Sequence, residues 1–157
     1  MSGKTIYRSA LRPEWVDESG HLRRSYFALV LSLASDALMD YLGLGEPYKV
    51  RTDCTLYTLE MHMHWLSEVN ADDTLEIDAH LLASDNKRLH VGFDVRRTDG
   101  PDVVATGEFV YLHVHRGTTA HAVPFPPDIE QAISEFKVAS GAGPWAGPGS
   151  RPMVIDQ

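Results

Sequence analysis

SYFALVLSLASDALMDYL, residues 25–42, carries apolar side chains at helical spacing over about five turns. Tyr26, Val30, Leu33, Ala37 and Tyr41 form one stripe, and Phe27, Leu31, Ala34, Leu38 and Leu42 form its neighbour. Together they cover more than half of the circumference, so the rest of the chain is expected to wrap this helix. Gly43 or Gly45 is placed to end it. Upstream, Thr5 to Leu11 reads as a strand closed by Pro13, followed by the polar loop Asp17-Glu18-Ser19-Gly20-His21.

After Pro47 the apolar period changes to two. In Thr55 to Leu66 one face reads Tyr57, Leu59, Met61, Met63, Trp65 and the other Leu56, Thr58, Glu60, His62, His64, Leu66. Thr74 to Ser84, Arg88 to Arg97 and Val103 to His115 alternate in the same way. The links Ser84-Asp85-Asn86-Lys87 and Thr98-Asp99-Gly100-Pro101 have hairpin composition, so the segments predict an antiparallel meander. Pro124 to Val138 reads as a terminal helix. The Gly/Pro-rich stretch after it has no periodicity and reads as a mobile tail. An antiparallel sheet that buries its apolar face and this helix together must curl around the helix. The expected class is therefore α+β with the hotdog layout, residues 1–138 forming the domain and 139–157 the tail. The open sheet edges invite a second copy of the chain, giving a homodimer or a dimer of dimers.

The whole sequence has 157 residues, room for one domain, with 43% apolar and 23% charged residues. A net charge of −8 and a pI near 5.4 argue against nucleic acid or an anionic membrane as partner. The longest apolar run, Tyr26 to Leu33, falls well short of the roughly 20 residues of a membrane span. The first residues lack the pattern of a secretory signal, and a single cysteine, Cys54, forms no internal disulfide. Both point to the cytoplasm.

Three groups of residues could carry chemistry. Asp17 to His21 lies just ahead of the helix, whose first N–H groups are unpaired and positive and can polarise a carbonyl. A carboxylate beside them could serve as nucleophile or base, although the spacing alone favours Asp17, Ser19 and Gly20 shaping the turn or capping the helix. Period-two geometry predicts Thr58, Glu60, His62 and His64 in one row, where Glu60 could act as a base and the histidines could hydrogen-bond or hold a metal. No motif supports the metal, and a solvated or interface-facing row explains the same alternation. Lys87 and Arg88 at a hairpin could hold phosphates or simply be solvated. Trp15, Tyr26, Tyr57 and Trp65 could line a pocket or pack in the core.

The stretch Arg12-Pro13-Glu14-Trp15-Val16-Asp17-Glu18-Ser19-Gly20-His21 resembles the Asp-x-x-Gly-His loop of hotdog acyl-CoA thioesterases of the 4-hydroxybenzoyl-CoA thioesterase type. Thr58-Leu59-Glu60-Met61-His62, Asp85-x-Lys87-Arg88-Leu89-His90 and Leu112-His113-Val114 are more similar to the betainyl-CoA thioesterases, found alone or fused to carnitine dehydrogenase. The resemblance runs from about residue 5 to residue 137. It implies hydrolysis of a CoA thioester without metal or organic cofactor. Asp17, His21 and Glu60 would be the catalytic groups, with Trp15, Gly20, Leu22, Tyr26, Thr58, His62, Lys87 and Arg88 around the substrate. It further implies sites at a dimer interface. Ser19, Leu22-Arg23 and Phe27 depart from the residues usual in that family. A hotdog protein that binds acyl-CoA or acyl-carrier thioesters without cleaving them, a hydratase on the same fold, and a metal enzyme built on His62 and His64 are the competing readings.

Overall fold

The structure is a computed structural model and describes residues 3–98, 100–141 and 144–147. Strand β1 (Lys4–Ala10) leads through a single 3-10 turn (Pro13–Trp15) and the Asp17 loop into α1 (Arg24–Tyr41). A short helix α2 (Glu46–Thr52) precedes β2 (Cys54–Trp65), β3 (Thr74–Ser84), β4 (Arg88–Arg97) and β5 (Val103–His115). A two-residue strand β6 (His121–Ala122) and α3 (Pro127–Ala139) follow. The sheet order is β1-β3-β4-β5-β2, with β6 beside β5, and every pairing is antiparallel.

The sheet closes on α1 as its apolar pattern requires. Leu75, Ile77, Val91, Phe93, Phe109 and Tyr111 point inward and are buried against Phe27, Val30, Leu31 and Leu38 of the helix. Gly107 lies opposite Leu31 so closely that any β-carbon there would strike the leucine. Glycine on β5 is what lets the helix sit this close to the sheet. Ser35 donates to the Leu31 carbonyl at 2.9 Å and accepts from the Tyr111 hydroxyl. Burial pushes the Tyr111 phenol well above its ordinary range, so it stays a donor. Gly43, at φ +80°, follows α1 in the left-handed conformation expected of a helix-ending glycine.

Two local features differ from the sequence expectation. Pro47 stands in the first turn of α2, where a missing N–H costs nothing, and does not open a strand. In β2 the register steps at Leu59, from Thr58 opposite Tyr111 to Glu60 opposite Val110. This bulge splits the predicted row. Cys54, Leu56 and Thr58 share the helix-facing side with Tyr111 and His113, whereas Glu60, His62 and His64 share the outer face with Val110, Glu108 and Thr106. The predicted apolar face is split as well, with Tyr57 outward and Met61, Met63 and Trp65 toward the helix. Because β2 is an edge strand, Leu59, Met61 and Trp65 remain 52%, 46% and 46% exposed, not core as their type suggested.

The outer face of the sheet is polar and internally paired. Arg96 donates to Asp78 at 2.6 Å and to Glu76 at 3.0 Å, and Arg8 pairs with Glu76 from the neighbouring strand. His80 bonds Asp94 at 2.7 Å, and the Trp145 indole N–H donates to the same carboxylate at 2.9 Å. Of the tail read as mobile, residues 142–143 and 148–157 lie outside the described residues, as does Asp99 of the second hairpin. Among the described residues no single helix is long and apolar enough to cross a membrane.

Candidate active site

The Asp17 loop is a tight reversal between Val16 and Leu22, which bridge each other. The Asp17 N–H donates to the His21 carbonyl at 2.8 Å, and the Gly20 N–H donates to the Asp17 carbonyl at 3.0 Å. Gly20 takes φ +82°, a conformation that suits glycine. Asp17 Oδ1 accepts from the N–H groups of Ser19 at 2.8 Å and His21 at 3.1 Å. Those amides, His21 first, lower the carboxyl below its ordinary 3.8 against the opposing effect of desolvation. Asp17 is therefore an anion at neutral pH with one oxygen tied to the turn, and Oδ2 takes part in neither bond.

The loop is held by the segment between β2 and β3. The Leu22 N–H donates to Val69 at 2.8 Å, the Ala71 N–H to Gly20 at 3.1 Å, and His21 bridges Asn70. His21 Nδ1 lies 3.1 Å from Glu68 Oε2. The helix then begins at Arg24 with no side-chain cap and no acid in its first turn, so its leading N–H groups keep their positive end open. A cavity of about 610 Å3 lies at this corner, lined by Asp17, His21, Leu22, Arg23, Trp65 and Glu68 among others. A second hollow of about 360 Å3 shares Arg24, Ser25 and Trp65 with it and adds Ala28, Met61 and Met63. The site is thus a groove with an anion and open helix amides at one end and an apolar, methionine-lined stretch at the other.

Residues expected at a site fall into three places. Asp17, His21 and Leu22 line the corner of the groove, and Gly20 turns the loop between them. Trp15 is buried beneath it, stacked on Tyr26 with ring centres 5.9 Å apart, and the Arg12 guanidinium lies 5.6 Å from the Trp15 ring. Thr58 faces the helix side of β2, and Glu60 and His62 face the opposite side of the sheet. Lys87 and Arg88 stand at the far end of β3, an 11-residue strand, hence about 30 Å from the loop within one chain. Arg88 there pairs with Asp85 at 2.6 Å. Arg23, Arg24 and Glu68 were not anticipated. The adjacent arginines at the start of the helix were a visible signal for an anionic ligand, whereas Glu68 reaches the site only through the pairing of two loops.

A family model described as the thioesterase-like superfamily matches residues 11–133. The chain belongs to the thioesterase-like superfamily. It is 38% identical over 140 residues to the betainyl-CoA thioesterase of Pseudomonas aeruginosa, covering 89% of this chain and 87% of that one. It is 36% identical over 155 residues to the L-carnitine dehydrogenase/betainyl-CoA thioesterase of Agrobacterium fabrum, covering 97% of this chain but only 31% of that longer protein. A Staphylococcus aureus protein solved in complex with CoA superposes with a TM-score of 0.87 over 99% of this chain and 98% of that one, at 21% identity. The hotdog thioesterase fold is thereby established for this chain, with the Asp17 loop and the first turn of α1 inside the matched region.

Proposed function

We propose that this thioesterase hydrolyses a small acyl-CoA, betainyl-CoA first among them, to the free acid and CoA at the groove beside Asp17. The observation that carries it is the free Oδ2 of an ionised Asp17 at the uncapped N-terminus of α1. A thioester carbonyl placed there directs its oxygen at the helix amides, which stabilise the charge that develops on it. Asp17 Oδ2 takes a proton from a water, the water oxygen bonds to the carbonyl carbon, and the C–S bond breaks. CoA leaves as a thiolate and is protonated by solvent. Asp17 acting as nucleophile would pass through a mixed anhydride that water then opens, with the same products. The betainyl reading rests on the relatives' names and on an open hollow where Trp65 offers an aromatic face, a surface that suits a trimethylammonium group.

The site is completed, in this reading, by a second copy. The exposed Leu59, Met61 and Trp65 lie along the free edge of β2, which is apolar and unpaired among the described residues. Antiparallel pairing of two such edges covers them and sets the Cys54 end of one strand beside the Trp65 end of the other. The Lys87–Arg88 hairpin lies toward the Cys54 end, since the His113 N–H donates to Lys87 and His113 is opposite Leu56. Lys87 of the partner subunit then reaches the end of the molecule that holds Asp17, where CoA phosphates need cations.

Thiol release from a panel of CoA esters tests the proposal. Betainyl-CoA turning over faster than short-chain, branched, medium-chain and aromatic esters supports it. Another ester in front replaces the acyl group, and saturable CoA-ester binding with no release at all makes the protein a binding module.

A further inference from the structure

We propose that Ala28 is a specificity-determining residue: its small side chain leaves open, between α1 and β2, a compartment for the acyl group, and limits that group to a compact one. That an acyl group is cleaved rests on the hydrolytic reading of the Asp17 site; the compartment follows from the packing of the helix on the sheet.

The two hollows of the groove differ in chemistry. The larger, of about 610 Å3, is lined by Asp17, His21, Arg23, Ser67 and Glu68 besides its apolar wall. The smaller, of about 360 Å3, is lined by Ala28, Met61, Met63 and Trp65 and by no carboxylate. They share Arg24, Ser25 and Trp65, where the open amides of α1 begin. A thioester whose carbonyl oxygen lies at those amides extends two arms from that point. The pantetheine arm is long and carries amides that need polar surroundings, so it takes the larger, polar side. The acyl arm is left with the smaller, apolar one.

The compartment exists because residue 28 is alanine. Arg24, Ala28 and Leu31 follow one another at spacings of four and three, so they share a face of α1. Leu31 is fully buried against Gly107 of β5, the residue opposite Met63 in the sheet. Helix and sheet therefore touch at Leu31. One turn earlier a leucine would fill the gap toward Met61 and Met63, and the alanine methyl leaves it open. Alanine has no side-chain rotamer to choose, so the helix alone fixes where this wall stands. The facing wall is of another kind. Met61 and Met63 are unbranched and fit themselves to irregular shapes, so they adapt to the acyl group. The rigid limit on its size stands at Ala28.

Thiol release from acetyl-, betainyl- and hexanoyl-CoA by wild type, Ala28→Leu and Met63→Ala tests the assignment. Leucine is a good helix former and Ala28 is only partly buried, so Ala28→Leu should keep the fold. In that variant the ratio of kcat/KM for betainyl-CoA to that for acetyl-CoA should fall by about tenfold or more, the scale on which an apolar pocket reads added methylene groups. Met63→Ala widens the same space and should raise the hexanoyl-to-acetyl ratio by about tenfold. An equal loss on all three esters in Ala28→Leu, which a pantetheine passage at this place would give, overturns the proposal. So do unchanged ratios in that variant. If Ala28→Leu loses its fold, Met63→Ala decides alone, and an unchanged hexanoyl-to-acetyl ratio overturns the proposal. No thiol release by the wild type from any ester overturns the hydrolytic reading instead, and the ratios of Kd for the same esters and variants then decide the compartment.

Discussion

Asp17 commits one carboxylate oxygen to two backbone amides, and the proposed chemistry falls to the other. Its motif was legible because Gly20 announces a positive φ and a helix follows directly. What the sequence could not show was Glu68, 47 positions from His21 and brought beside it by loop pairing. Asp85 shows the same capping habit at the opposite end of the sheet. The N–H of Lys87, then the Arg88 side chain, hold its carboxyl from an ordinary 3.8 down to about 2. A carboxyl lowered in the folded state contributes stability that is present above its unfolded value and lost as pH falls toward the folded one. Wild type should therefore melt above Asp85→Asn at pH 5, and the gap should close as pH falls from about 4 to 2. Thermal unfolding of the two proteins across that range checks it, and a gap unchanged at pH 2 would remove the effect.

At the scale of elements, the sequence placed β3, β4 and β5 at their observed limits because strict alternation lets only one face be buried. It missed α2, since a proline that breaks a helix interior is equally at home in its first turn. It also missed the bulge at Leu59, which adds one residue without any compositional mark and turns Glu60 and His62 to the outer face. Within one chain Glu60 and His62 therefore face away from α1. The outer face has an energetic logic of its own. Asp78 is 1% exposed and is held by Arg96 and the Thr5 hydroxyl. Removing Arg96 leaves that carboxylate buried with one neutral donor. Arg96→Ala should cost about 3–5 kcal/mol in urea unfolding, and Arg96→Ala with Asp78→Leu should recover much of it. A loss below about 1 kcal/mol would show the pair to be no more than a surface contact.

At the scale of the whole molecule, a strongly apolar helix and an acidic chain with one cysteine already pointed to a wrapped core and away from nucleic acid. The site itself was only half legible. Asp17 and His21 stand together, whereas Lys87 and Arg88 are separated from them by the length of β3, and in the proposed dimer the pair from the other copy would join them. One chain's sequence records the parts of such a site but not which copy supplies each. The most direct measurement is thiol release from betainyl-CoA by wild type and Asp17→Asn, both checked by sedimentation for the same assembly. Asparagine keeps the acceptor for the Ser19 and His21 amides, so loop and assembly should survive. A dimer is expected in both cases, with turnover lowered about 100- to 10,000-fold in the variant. Turnover in Asp17→Asn near that of the wild type would contradict it.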